Sequence, residues 1–259
     1  MKFLHPFLAL GCLLLCLSCS NQPLKAQIQV NVPSIQQEAT SIWRTINDIE
    51  FLEQQGYNIN LPKNDVIASL ITKSKNKEFG NDDFQTIYTV LESNIYNSSN
   101  YETALQKVNA QLDLINTLIA RLKSKKDSWN WNFHSFDTYQ LVFTLYGTGG
   151  SYDPDSGLIT LLTNQNGNFM QYDNPANTVL HEIVHMGIEQ SIVQRYNLPH
   201  GSKERIVDTI TYILFKDKLT KYKIQNMGDK RIDNYLKEEK DVQNLSSVVE
   251  TYQRENGDG

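Results

Sequence analysis

Asn174-Pro175-Ala176-Asn177-Thr178-Val179-Leu180-His181-Glu182-Ile183-Val184-His185-Met186-Gly187-Ile188 opens on a helix-start signal and carries the pattern H-E-x-x-H. An asparagine cap followed by proline, whose ring presets the first helical dihedral, predicts a helix beginning at Pro175. Leu180, Ile183, Val184, Gly187 and Ile188 recur at helical spacing and give that helix an apolar stripe. His181 and His185 stand four residues apart, so they share one face about 6 Å apart along the axis. Two imidazoles so placed can converge on one Zn²⁺ at about 2.0–2.1 Å. Glu182 projects beside them, where it can take a proton from water at the metal without filling a coordination position.

Two histidines leave a catalytic zinc site incomplete, because three protein ligands and one open position are expected. Downstream runs Asn197-Leu198-Pro199-His200-Gly201-Ser202-Lys203-Glu204-Arg205-Ile206-Val207-Asp208. A metzincin would carry a histidine six residues after His185, and Ser191 stands there. The segment from Leu158 to Leu219 resembles instead the gluzincin metallopeptidases, the thermolysin-like branch of the zincins. That resemblance implies a second helix opening near Gly201-Ser202, with Glu204 as third zinc ligand and Asp208 as hydrogen-bond partner of His181. A glutamate and an aspartate at i and i+4 share a helical face, and a ligating imidazole requires an acceptor for its other N–H. Ile206, Val207, Ile210, Ile213 and Leu214 supply the buried side of this helix. His200 and Asp208 are alternative third ligands. His200, with Tyr152, Tyr196 and Tyr212, is also a candidate to stabilise the tetrahedral oxyanion. Glu189 lies about 12 Å along the helix from His181, too far to share its metal. His134 reads as a packed or surface histidine.

Upstream, Thr138 to Tyr146 and Leu158 to Thr163 are rich in β-branched and aromatic residues and predict two strands. Between them, Gly147 to Gly157 is dense in turn residues. It lacks the lysine of a P-loop and no helix follows it, so phosphate binding is not expected. The gluzincin resemblance makes Leu158 to Thr163 the edge strand that pairs with extended substrate. From Ser34 to about Lys125 the spacing is helical, with stripes at Ile35–Ile49, Phe84–Ile95 and Leu105–Leu122. Asn81, followed by two aspartates, looks like a helix cap. A last helix is expected over about 232–252. The expected fold class is α+β: an N-terminal helical region over 34–128, then a catalytic region over 129–259. The latter comprises a small, mostly antiparallel sheet, the metal-binding helix and the glutamate helix.

The first residues read as a signal peptide over 1–18, with Lys2 ahead of an uncharged apolar run from Phe7 to Leu17. The run is shorter than the roughly 20 residues a membrane span needs. Cys12, Cys16 and Cys19 are the only cysteines, so no disulfide framework is available elsewhere. Leu15-Cys16-Leu17-Ser18-Cys19-Ser20 resembles a bacterial lipoprotein signal, which implies lipidation of Cys19 and a tether over 19–33. The chain is then exported and held to a bacterial membrane by its N-terminal lipid. A net charge of −5 argues against a nucleic-acid partner. The expected function is a zinc-dependent metallopeptidase acting on peptide or protein substrates, with Glu182 activating a zinc-bound water. The alternatives are a zinc amidase on cell-wall material and a non-enzymatic binding lipoprotein.

Overall fold

The computed structural model describes residues 27–169 and 174–256. The expected signal peptide, Cys19 and the start of the tether lie outside the described residues. The tether expected up to residue 33 ends early, because Ile28–Asn31 forms strand β1. Ile28 is buried and Gln29 exposed, the alternation of a half-covered strand, which the neighbouring prolines obscured.

Six helices follow β1: α1 (Ile35–Asn47), α2 (Ile49–Gln54), α3 (Asp65–Lys75), α4 (Phe84–Val90), α5 (Glu102–Asn109) and α6 (Leu112–Lys126). Ser34 caps α1 through a reciprocal box with Gln37, satisfying two N–H groups that a helix start leaves open. The turn before α4 begins at Asn81 with Gly80 in the cap position, one residue earlier than expected. The long stripe from Leu105 to Leu122 divides between α5 and α6, which meet at Ala110 and Gln111.

Strands β2 (Tyr139–Thr144), β3 (Ser151–Asp153) and β4 (Leu158–Leu162) complete a four-stranded sheet of order β1-β2-β4-β3. The α+β class holds, but the sheet is mostly parallel. β1 runs parallel to β2 and β2 parallel to β4, and only β3 is antiparallel, to β4. The turn-rich segment conceals β3. The chain therefore reverses twice between β2 and β4, and two reversals restore the direction. β4 is also interior; the edge strands are β1 and β3, and β3 is the one that borders the cleft described below.

Helix α7 (Pro175–Ile188) lies against β3, β4 and α6, and α8 (His200–Phe215) lies against α7. Gly187 permits the contact of α7 with the segment before the sheet, since a Cβ there would land inside the ring of Phe133. The expected last helix is broken into a 3-10 turn (Lys230–Asn234), α9 (Glu239–Gln243) and α10 (Leu245–Asn256).

Packing divides the chain differently from the boundary expected at residue 128. Ile115, Ile119 and Leu122 of α6 share the main core with Val179 and Ile183 of α7. Ile42, Ile46, Ile67, Leu70 and Ile87 of α1, α3 and α4 form a smaller core of their own.

Glu38 joins the smaller helical unit to the sheet. Its fully buried carboxylate accepts from the Leu145 N–H at 2.9 Å and from the hydroxyls of Tyr101 and Thr144. Burial pushes its pKa above the ordinary 4.5 despite those three donors. The folded carboxyl thus binds its proton more tightly than the unfolded one. Its contribution to stability is full below pH 4.5 and is lost as pH rises through the folded value. The melting temperature of the native protein is therefore expected to fall relative to that of Glu38→Gln as pH rises from about 4 to 8. A pH-independent difference between the two would exclude this.

Candidate metal centre

Helix α7 is buried along nearly its whole length, which fixes the direction of its polar residues. His181 and His185 point to a common spot, and α8 brings Glu204 to the same place. His185 Nε2 lies 3.0 Å from His181 Nε2, and Glu204 Oε2 lies 3.3 Å and 3.5 Å from them respectively. Ligands at the corners of a tetrahedron with bonds of about 2.0–2.1 Å stand about 3.3–3.4 Å from one another. The three donor atoms therefore have the spacing of three zinc ligands around one centre. His181, His185 and Glu204 are also the described group able to converge on a single metal ion.

The surroundings prepare these donors. His181 Nδ1 is 2.8 Å from the Tyr222 hydroxyl and 3.2 Å from Asp208 Oδ1. The Tyr222 hydroxyl donates to Asp208 at 2.6 Å, so its lone pair is left to accept from His181 Nδ1–H. With a proton on Nδ1 alone, the Nε2 lone pair would face Glu204 and His185. Burial disfavours a charged His181, yet Asp208 and Glu204 outweigh it and raise its pKa to about 10 without metal. Burial lowers His185 to about 4 and keeps it neutral, the form that ligates. Its Nδ1 has no hydrogen-bond partner among the described residues. Glu204 is held well below the carboxylate range: burial raises it, and the two imidazoles overcome that effect. Three carboxylates, Glu182, Glu204 and Asp208, are thus buried around two imidazoles. Buried carboxylates at that density call for cationic compensation, which a divalent ion at the triangle would supply. The donor set of two imidazoles and one carboxylate suits Zn²⁺.

Glu182 lies beside the triangle and is not one of its corners. Burial raises it to about 7 in the metal-free protein, with the charge of His181 acting against that rise. A divalent cation nearby would favour the ionised form. Its carboxylate packs against the backbone at Gly150, where a Cβ would overlap Glu182 Oε1 and press on Thr178. Gly150→Ala is therefore expected to push Glu182 aside and lower any hydrolytic rate by about 10²-fold, with metal content unchanged. Equal rates in the two proteins, measured at matched zinc occupancy, would count against this.

The triangle opens on a cleft of about 670 Å³ between the α1–α2 segment and the sheet edge. His200, at the start of α8, approaches Glu204 through Nδ1 at 3.8 Å and meets the Tyr57 hydroxyl through Nε2 at 2.8 Å. Phe51 stands edge-on to the His200 ring at 5.7 Å. Tyr152 stacks on His185 with centroids 5.0 Å apart and gives its hydroxyl proton to Glu189 at 2.8 Å. Glu189 sits in a π-helical turn that continues α7. Tyr196 bonds Glu250, and Tyr212 is exposed beside Lys216, so neither belongs to the cleft. His134 packs against Phe136. Tyr57, Tyr222 and Gly150 were not singled out from sequence. Tyr57 lies in a helical region that carries no catalytic motif, and Tyr222 follows Asp208 at no recognised spacing.

Comparison of the chain with protein-family models, with curated proteins and with solved structures finds no match.

Proposed function

We propose that this protein is a zinc-dependent hydrolase of peptide bonds, a metallopeptidase resembling the gluzincins. The observation that carries the reading is the His181–His185–Glu204 triangle with Glu182 beside it at the wall of an open cleft. Zn²⁺ bound by those three residues would supply a Lewis acid for a carbonyl and acidify water. Glu182 accepts the proton of the attacking water and returns it to the leaving amine. Asp208, acting with Tyr222, holds the His181 ring in its ligating tautomer. His200 and Tyr57 serve the developing oxyanion. With its proton on Nε2, His200 donates to the Tyr57 oxygen, and the Tyr57 O–H remains to donate to substrate.

The free edge of β3 supports a peptide as substrate. It borders the cleft beside Gly150 and Tyr152, where an extended chain can add as a further strand. We also read Cys19 as the lipid-bearing residue that holds the protein to a bacterial membrane. No helix among the described residues is long and apolar enough to cross one. Metal analysis of the purified protein, then digestion of a peptide library with and without chelator, tests the function. Stoichiometric zinc with chelator-sensitive cleavage is expected. A metal-loaded protein that cleaves wall fragments but no peptide would replace the peptidase by an amidase.

A further inference from the structure

Lys203 stands in the cleft one residue before Glu204 and forms no ion pair with any described carboxylate. Its Nζ donates to the Tyr152 hydroxyl at 3.4 Å and lies 5.8 Å from that ring's centroid. The same ring stacks on His185, so the ammonium is one aromatic ring away from a metal ligand. Its positive field reaches both Glu182 and His185. Glu189, the nearby acid, receives its hydrogen bond from Tyr152 instead.

Other cations withdrawn from solvent behave differently. Arg205 pairs with Asp233, Arg121 with Asp217 and Lys125 with Glu239. Arg44, which also lines the cleft, is exposed, so water solvates its charge. The half-buried Lys203 ammonium touches no described carboxylate directly and so keeps a donor for a charge-assisted bond. At the wall of a substrate cleft, it is matched by negative charge on whatever binds there.

We infer that Lys203 determines specificity by selecting peptides with a carboxylate close to the scissile bond. The inference rests on the peptidase reading above and names the substrate class for the same site. The carboxylate can come from an aspartate or glutamate side chain or from a free C-terminus, and the geometry recognises the shared group. Glutamine in place of glutamate, or an amide in place of the terminal acid, keeps the shape and removes the charge-assisted bond.

The test uses the zinc-loaded full chain and matched peptides. One pair exchanges glutamate for glutamine beside the cleaved bond with the C-terminus amidated, and a second pair compares a free with an amidated C-terminus. The acidic member of at least one pair is expected to show a kcat/KM about tenfold higher or more; the pair that responds identifies the source of the carboxylate. Lys203→Met should abolish that preference with zinc content and melting temperature unchanged. Lys203→Arg should keep it, and Lys203→Glu should transfer it to lysine-bearing peptides. Equal cleavage of both members of each pair by the native protein, or a preference that survives in Lys203→Met, overturns the inference. Absence of cleavage of any peptide by the zinc-loaded native protein overturns the peptidase reading itself, and the role of Lys203 with it.

Discussion

Glu182→Gln is expected to bind zinc as the native protein does and to lose peptide hydrolysis by about 10²–10⁴-fold, the range for removing a general base. The amide occupies the same space beside Gly150 but cannot accept the water proton. Metal should stay, because Glu182 is outside the triangle of converging donors. Stability should hold or rise, since the substitution removes one of three carboxylates buried around the imidazoles. Atomic absorption on the purified variant and its rate on a cleaved peptide check both halves. Retention of full activity would remove Glu182 from the chemistry, and loss of zinc would make it a ligand.

Glu204→Ala is expected to weaken zinc binding by more than about 100-fold, beyond the loss usual for disturbing a partner outside the ligand set. Two imidazoles remain, and the position opposite them opens to water. The variant also frees His181 from one of the acids that hold its proton in the metal-free protein. Zinc binding by the native protein should therefore release more protons than binding by the variant. Competition with a chromogenic chelator measures the affinity, and calorimetry in buffers of different ionisation heat measures the protons. Undiminished zinc binding in Glu204→Ala would move the third-ligand role to His200, whose Nδ1 lies 3.8 Å from the glutamate it would replace.

The parts of this fold that were legible are those set by local chemistry. Asn174-Pro175 and the spacing to Ile188 mark α7 almost to the residue, because the proline and the apolar spacing act within the helix itself, although Asn174 makes no side-chain capping bond. Helix α8 opens at His200, within two residues of the start expected at Gly201-Ser202. What failed depends on long-range pairing. Nothing local indicates that Ile28–Asn31 crosses the chain to lie against Tyr139–Thr144, or that three residues hidden among turns add a reversal before β4. The placement of site residues divides in the same way. His181, Glu182 and His185 lie on one helix and share one pattern. Tyr57 reaches His200 across 143 residues and Tyr222 reaches His181 across 41, contacts that only the tertiary fold creates.

The incorporation of Ile28–Asn31 into the sheet would limit how far the cleft could stray from a bilayer if Cys19 carries a lipid. A lipid on Cys19 would be followed by only eight peptide units before Gln27, the first described residue and one that bonds Asn116. Eight units span at most about 26–29 Å when fully stretched, roughly the thickness of a bilayer's hydrocarbon interior. Such a leash would confine the cleft to molecules that come within a protein's diameter of the lipid headgroups.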